Sequence, residues 1–199
     1  MNWAWLAASA VGLVVLVASV APAMAPTLPG WEGRAFRVIN RLPGWTIVVF
    51  WPVMQLGNLV VGAAAGLLLA WHVGRLDVAV SVLVVTGLKL VAEKLLRREL
   101  HGRIPARVRP GTSQPGAILR GADIPESGPS FPSGHALLAA GLACVVAPVA
   151  GATPDVLPFV LALLVAVGRV FVGAHNPLDV TSGLGAGLVV GGFVAAVLA

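Results

Sequence analysis

The sequence predicts an all-α fold, a polytopic membrane helical bundle with six transmembrane helices. Hydrophobic residues make up 58% of the 199 residues and charged residues 11%, whereas a soluble domain has about 45–50% apolar and about 25% charged residues. The mean hydropathy of +0.93 leads to the same interpretation. Because the length suits one domain, residues 1–199 are predicted to form a single membrane domain.

Six segments are predicted as membrane spans, each of which needs about 20 mostly apolar residues. The first ends like a signal peptide, but it is long and has no basic residues before it, so we expect a retained span. The third contains Lys89 and Glu93, which are predicted to neutralise each other on one helix face. The predicted spans are residues 3–25, 46–71, 78–96, 136–153, 156–172 and 180–199.

Most of the arginines lie in two segments between the predicted spans, and the net charge is +5. A basic soluble protein would suggest nucleic acid as a partner, but basic residues beside a membrane favour lipid headgroups or phosphate. We therefore expect membrane lipids and a lipid phosphate as partners, and no nucleic acid. Residues 97–135 are predicted as an active-site loop. The shorter segment, residues 31–44, is either a basic loop or an amphipathic interfacial helix, one face of which would carry Trp31, Ala35, Phe36 and Ile39.

Three groups of charged or reactive residues lie at the ends of predicted spans. Consecutive spans cross a membrane in opposite directions, so all three groups are predicted to lie on one membrane face. A single site built from all of them is therefore possible. The groups are Arg107–Pro110, Phe131–His135 and Arg169–Asp179.

These residue types suit phosphoryl transfer, which needs cations and N–H donors around the phosphate oxygens, a nucleophile and a proton for the leaving group. Arginine binds phosphate in a bidentate manner, so Arg109 and Arg169 are predicted phosphate ligands. A helix that begins at Ser133–His135 would direct free backbone N–H groups towards an anion. Two histidines can act as nucleophile and proton donor. A carboxylate such as Asp179, four residues after His175, can orient an imidazole.

The sequence resembles the type 2 phosphatidic acid phosphatase (PAP2) superfamily of integral-membrane lipid phosphatases. This family has three signatures, K-x6-R-P, P-S-G-H and S-R-x5-H-x3-D. The second is present in full as Pro132–His135, and the third lacks only its leading serine, which is replaced by Gly168. The residues that match the third signature are Arg169, His175 and Asp179. The first signature is matched only at its end, by Arg109 and Pro110.

The resemblance implies a role for each matching residue. His175 would be the nucleophile and Asp179 its orienting partner, while His135 would protonate the leaving alkoxide. The resemblance implies neither a metal nor another cofactor. The phosphate-binding residues would be Arg109, Arg169, Ser133 and Gly134, the last through its backbone N–H and through the close approach that a glycine permits.

The first signature departs from the family pattern at its lysine. That lysine should stand seven residues before Arg109, where the chain has Gly102. Lys94 or Arg103 is expected to supply the missing cation. Lys94 is favoured because the family lysine usually lies at the end of the third span.

The function implied is metal-independent hydrolysis of a lipid phosphomonoester or diphosphate through a phosphohistidine intermediate. Polyprenyl diphosphate, phosphatidylglycerol phosphate and phosphatidate are the candidate substrates. Two alternatives stay open: a phosphotransferase that passes the phosphate to another lipid or sugar acceptor, and a non-catalytic lipid-binding membrane protein.

The expected location is a bacterial plasma membrane. The positive-inside rule would put the basic loops, and with them the site, in the cytoplasm. Many bacterial members of the family carry the site on the other face, and arginines that bind phosphate distort the loop count. We expect an extracytoplasmic site and two cytoplasmic termini.

Overall fold

The computed structural model describes residues 2–100, 107–121, 124–150 and 156–198 of the chain. Within these ranges the fold is helical, and the only β pairing is an isolated bridge between Val108 and Pro129. Three short 3₁₀ turns, Gly44–Thr46, Gln55–Gly57 and Ala147–Val149, accompany the α-helices. The α-helices are α1 (Trp3–Ala23), α2 (Gly30–Asn40), α3 (Ile47–Met54), α4 (Leu59–His72), α5 (Leu76–Leu100), α6 (Pro110–Ser113), α7 (Gly134–Val146), α8 (Leu157–Phe171) and α9 (Pro177–Leu198).

The predicted all-α class is confirmed, and each of the six predicted spans contains helix. Among the described residues, α1 and α9 are each long and apolar enough to cross a membrane alone. The pair of α3 and α4, with the 3₁₀ turns beside α3, passes the same test only when it is counted as one span. Helices α7 and α8 are apolar but shorter, while α5 is long and carries several charged residues. The order of the helices therefore fits six membrane crossings. By length and composition alone, up to three membrane spans are identified among the described residues.

The second predicted span is bent rather than straight, which corrects the continuous helix expected over residues 46–71. The segments before and after residue 58 meet at an angle of 79°. Asn58 has extended backbone angles, and its side chain accepts the N–H groups of Val60 and Val61, so it caps a new helix. Next to it, a Cβ atom on Gly57 would lie 2.9 Å from both Cβ and the carbonyl oxygen of His135. The bend thus brings the backbone of Gly57 into direct contact with the start of α7.

The segment after α1, for which both a loop and a helix were predicted, forms helix α2. Its buried face differs in part from the predicted one, because Glu32, Phe36 and Asn40 are buried while Trp31 is half exposed. The amide nitrogen of Asn40 donates to the carbonyl oxygens of Ile118 and Phe171, both at 2.9 Å. Helix α2 is therefore fixed to the polar segment before α7 and to the end of α8.

Helix α9 lies between α1 and α7, and glycines allow it to approach both. A Cβ atom on Gly191 would overlap the carbonyl oxygen of Gly141 in α7, and one on Gly185 would lie 2.6 Å from the backbone nitrogen of Leu16 in α1. Close backbone packing of this kind is the usual way in which membrane helices associate. The position of the start of α9, which carries Asp179, depends on these contacts.

We expect Gly191→Ala to lower the stability of the protein by roughly 1–3 kcal/mol, because the new methyl group would overlap backbone that cannot move away. Gly87→Ala is the matched control, since no atom of the described residues lies within 4 Å of the new Cβ position on the exposed face of α5. That change should be neutral or stabilising by up to about 1 kcal/mol. Thermal unfolding in detergent measures both effects. Equal midpoints for the two variants would contradict the close packing of α7 and α9.

Candidate active site

The three groups of residues that the sequence singles out converge at one end of the helices. The end of α5 reaches the start of α7 through Arg97, whose Nη2 lies 3.4 Å from the carbonyl oxygen of Pro132. The backbone N–H of Ser133 donates to the carbonyl oxygen of Asp179 at 2.9 Å, which joins the starts of α7 and α9. Arg109 donates to the carbonyl oxygen of Ala174 at 2.7 Å. The alternation of spans therefore brings these groups together, as predicted.

His175 lies between α8 and α9 with its two ring nitrogens in opposite electrostatic surroundings. Nη1 of Arg109 lies 3.2 Å from Nε2 of His175. Since a guanidinium only donates, Nε2 accepts this bond, and the proton of the neutral ring is on Nδ1. Nδ1 lies 3.8 Å from Oδ2 of Asp179, which is longer than a hydrogen bond. The ring is thus oriented with Nε2 towards the arginines and Nδ1 towards the carboxylate.

Burial lowers the pKa of His175 well below its usual value of 6.5, and the charges of Arg109 and Arg169 lower it further. Desolvation disfavours the charged imidazolium, and neighbouring cations act in the same direction. The ring is therefore neutral at pH 7. A neutral imidazole keeps Nε2 unprotonated, which a nucleophile requires, and here the Nε2 lone pair accepts the N–H of Arg109.

Asp179 is fully buried in the first turn of α9. Its Oδ2 accepts the backbone N–H of Asn176 at 2.8 Å, so the carboxylate satisfies one of the free N–H groups at the helix start. Asn176 is itself held by Gln114, whose Nε2 donates to its Oδ1 at 3.0 Å. The segment that carries Arg109 is thereby fixed to the segment that carries His175.

The start of α7 carries Ser133, Gly134 and His135. Ser133 is the N-cap and accepts the backbone N–H of Ala136 at 3.5 Å, which leaves its own hydroxyl proton able to donate elsewhere. A Cβ atom on Gly134 would lie 2.5 Å from Oε2 of Glu93. The glycine therefore accommodates the Glu93 carboxylate beside its Cα, and its backbone N–H is the group that can face a phosphate.

His135 is half buried, and the charges of Arg169 and Lys89 act on it. Arg169 is buried in the last turn of α8, and its charge acts on both histidines. Of the four residues predicted to gather, both histidines are therefore within electrostatic reach of Arg169, and His175 also contacts Arg109. Arg169 comes from the end of α8, His135 from the start of α7 and His175 from the connection between α8 and α9.

Arg97 is a site residue that the sequence reasoning missed. It is 32% exposed and pairs with Glu93 at 2.9 Å, and Lys89 pairs with the same carboxylate at 2.6 Å, as was predicted for that pair. The charge of Arg97 acts on both Arg109 and His175. The spacing of four residues from Glu93 to Arg97 is the signal that could have identified it, since it places both on one helix face.

Of the two predicted substitutes for the family lysine, Lys94 has an exposed side chain on α5. In the described part of the chain, no hydrogen bond or ion pair joins Lys94 to the histidines or to Arg109. Arg103 lies outside the described residues. The geometry therefore brings Arg97, rather than Lys94, together with the rest of the site.

Gly168 stands where the family signature has a serine, and its surroundings explain why a side chain is absent. A Cβ atom there would lie 2.6 Å from Cγ of Met54 and 3.3 Å from Cδ1 of Phe50. The side of Gly168 on which a side chain would lie faces α3 and not the histidines. The missing hydroxyl is therefore no loss to the site in this fold.

In the part of the chain that the structure describes, no group of three or more His, Cys, Asp or Glu side chains is arranged to hold a metal ion.

A family model described as the PAP2 superfamily matches residues 78–199, which include every helix that contributes a predicted site residue. The chain belongs to the PAP2 superfamily. The resemblance inferred from the signatures is thereby confirmed. A comparison with curated protein sequences gave no significant match.

Two solved structures share the PAP2 fold of this chain. The transmembrane PAP2-type phosphatidylglycerolphosphate phosphatase of Bacillus subtilis has a TM-score of 0.68 and 21% sequence identity, over 98% of this chain and 96% of its own. LpxE of Aquifex aeolicus has a TM-score of 0.65 and 24% identity, over 82% of this chain and 93% of its own. The predicted multi-helix membrane architecture therefore agrees with solved structures along nearly the whole chain.

The low pKa of His175 has a consequence for stability. The folded-state pKa lies below the unfolded-state value of 6.5, so below pH 6.5 the unfolded chain binds more protons and stability falls as the pH decreases. The loss is at most about 1.4 kcal/mol per pH unit for one histidine. We expect acid to destabilise the wild type more than His175→Asn between pH 6.5 and pH 5, as measured by thermal unfolding in detergent. Parallel curves for the two proteins would contradict a buried neutral His175.

Proposed function

We propose that this PAP2 protein hydrolyses a lipid phosphomonoester or diphosphate without a metal, through a phosphohistidine on His175. One observation carries the proposal: the neutral ring of His175 presents Nε2 towards Arg109 and Nδ1 towards Asp179. A nucleophilic nitrogen on the cationic side of the site is the arrangement that attack on a bound phosphate needs.

In the first half of the reaction, Nε2 of His175 attacks phosphorus while the bond from phosphorus to the leaving oxygen breaks. Arg109, Arg169 and Arg97 would hold the phosphate oxygens, together with the hydroxyl of Ser133 and the N–H of Gly134. Asp179 accepts a hydrogen bond from Nδ1–H, which keeps its proton, and stabilises the positive charge that develops on the ring. The negative charge of the bound phosphate favours the imidazolium form of His135, which gives its proton to the leaving alkoxide.

In the second half, water replaces the leaving group in line with the P–N bond. Neutral His135 takes a proton from this water as its oxygen attacks phosphorus, and the P–N bond electrons return to Nε2. The products are inorganic phosphate and the free enzyme with His135 protonated again. Each group therefore returns to its starting state, and the overall reaction is hydrolysis of the phosphate ester or anhydride.

One structural neighbour supports a lipid substrate, because it is a phosphatidylglycerolphosphate phosphatase. Phosphatidylglycerol phosphate is therefore a candidate, along with phosphatidate and polyprenyl diphosphate. We also propose that residues 1–199 act as one domain in a bacterial plasma membrane. The site end of the helices, where α1 ends and α9 begins, would be extracytoplasmic, and both termini would then lie on the opposite, cytoplasmic side.

The roles of the two histidines can be separated by the leaving group. His175→Ala should abolish phosphate release from phosphatidate, phosphatidylglycerol phosphate and polyprenyl diphosphate, and also from 4-nitrophenyl phosphate. His135→Ala should slow release from the lipid monoesters by about 10²–10⁴-fold, the usual value of a general acid. With 4-nitrophenyl phosphate, whose leaving group needs no proton, His135→Ala should still give a single burst of 4-nitrophenolate close to the wild-type rate, because only the later hydrolysis of the phosphohistidine requires His135. Phosphate release by purified protein in detergent with EDTA measures turnover, and absorbance of 4-nitrophenolate after rapid mixing measures the burst.

Three results would contradict the proposal. One is phosphate release by His175→Ala at the wild-type rate. Another is loss of wild-type activity in EDTA that magnesium restores. The third is the absence of an acid-labile, base-stable phosphoryl label on His175 after rapid quenching with ³²P-labelled substrate.

Arg97 and Lys94 provide a matched pair of variants on the same helix. Arg97→Gln should raise KM by roughly 10–100-fold, because a charge-assisted hydrogen bond contributes about 1.5–3 kcal/mol. Lys94→Gln should change KM by less than about twofold, since its side chain is exposed. Arg97→Lys should retain most of the affinity because it keeps the charge. Steady-state kinetics with phosphatidate in mixed micelles would exclude the role of Arg97 if Lys94→Gln were the more damaging change.

A further inference from the structure

A second carboxylate is buried near Asp179, and it comes from α2. Glu32 is completely buried, and its Oε1 lies 2.6 Å from Nη1 of Arg107, which is also buried. The same Nη1 lies 3.6 Å from Oδ1 of Asp179. One guanidinium nitrogen therefore stands between two carboxylates, one of which faces His175. Neither Glu32 nor α2 lies in the part of the chain that the PAP2 family model matches, residues 78–199.

Glu32 also reaches the start of α9 directly. Its Oε1 accepts the backbone N–H of Leu178 at 2.9 Å. Leu178 is the residue before Asp179, so this bond fixes the backbone on which the carboxylate is carried. Arg107 is fixed in turn by Ser130, whose backbone N–H donates to the carbonyl oxygen of Arg107 at 2.9 Å. The contact of Arg107 with Asp179 is therefore set by its neighbours on both sides.

The charges explain why two carboxylates should share one guanidinium. If Glu32 were absent, Arg107 could move fully onto Asp179 and neutralise it. With Glu32 present, Arg107 stays 1.0 Å closer to Glu32 than to Asp179, as the distances of 2.6 Å and 3.6 Å show. Asp179 then keeps negative charge for His175, and that charge is worth most in a dry site.

We infer that Glu32 is a positioning residue, which acts through Arg107 and the Leu178 N–H to hold Asp179 in place and to preserve its charge towards His175. The inference rests on the proposed function of His175 and Asp179. Glu32 does not reach the phosphate in this arrangement. Its loss should therefore lower kcat and leave KM nearly unchanged, because substrate binding belongs to the arginines on the other side of His175.

Glu32→Gln keeps the shape of the side chain and removes its charge. We expect kcat for phosphatidate to fall about 10–100-fold, as for the loss of other supporting partners of a catalytic histidine, and KM to change by less than about twofold. In an Asp179→Asn background the same change should have no further effect on kcat. Asp77→Asn is the matched control, because this carboxylate pairs with Arg75 on the protein surface at the opposite end of α5. That variant should keep wild-type kinetics.

A purely structural role would give a different pattern. If Glu32 only stabilised the fold, Glu32→Gln would lower kcat by the same factor in the wild-type and Asp179→Asn backgrounds. That result would overturn the inference. Unchanged kcat in the folded Glu32→Gln protein would overturn it as well. Should Glu32→Gln not fold, the double variant Glu32→Gln with Arg107→Met leaves no unpaired charge of this pair buried. Because no guanidinium then remains to neutralise Asp179, the double variant should keep kcat close to that of the wild type, and a loss of about 10–100-fold in this variant would overturn the inference.

A measurement without turnover separates this inference from the proposed function. In protein with ¹⁵N-labelled histidine, the Nδ1–H signal of His175 is identified by its absence in His175→Asn. A proton that points towards a charged carboxylate resonates downfield, and Oδ2 of Asp179 lies 3.8 Å from Nδ1, so Glu32→Gln should move this signal upfield and Asp77→Asn should not. If the wild type hydrolysed no substrate yet the signal moved, the proposed function would fail and the positioning role would stand. An unmoved signal would overturn the positioning role alone.

Discussion

The contact of Arg107 with both Glu32 and Asp179 links α2 to the start of α9, and the orientation of His175 depends on it. Removing two carboxylates and a guanidinium from water is costly, and one buried ion pair rarely offsets that cost by itself. Here one oxygen of each carboxylate also accepts a backbone N–H group, of Leu178 for Glu32 and of Asn176 for Asp179, whereas within the described residues the other oxygen of each is buried without a hydrogen bond. Hydrogen bonds from helix-start N–H groups to charged oxygens are among the strong ones. The free N–H groups at the start of α9 thus offset part of the cost of burying these charges, and the ion pair with Arg107 offsets a further part.

The same arrangement divides the site into a negative and a positive half with His175 at the boundary. Carboxylates lie on the Nδ1 side, while Arg109 lies on the Nε2 side and the charges of Arg169 and Arg97 act on the ring. Cations alone would keep the ring neutral but would offer no partner for its Nδ1 proton. Carboxylates alone would favour the imidazolium and remove the lone pair. A neutral nucleophile that can become positively charged during the reaction needs both halves.

The sequence predicted those features that depend on local pattern. The apolar lengths identified the helices, and the motif at Pro132–His135 identified the start of α7, because a serine N-cap before an apolar run is a local signal. Features that depend on contacts between distant segments could not be predicted. Glu32 belongs to a basic, amphipathic segment whose buried face was assigned from its apolar residues, so the burial of a charge there had no local signal. The break at Asn58 was likewise hidden within a continuous apolar run.

The missing family lysine shows why spacing along the chain can mislead where spacing in the fold does not. Arg97 lies twelve residues before Arg109 in the sequence, so it fails the six-residue interval of the signature. Yet it lies one turn after Glu93 on α5, and that carboxylate contacts the start of α7 at Gly134. The interval between a helix end and the next fixed residue can lengthen without moving either one, because the added residues enter the connection. A cation is therefore better sought on the helix face that meets Gly134 than at a fixed distance from Arg109.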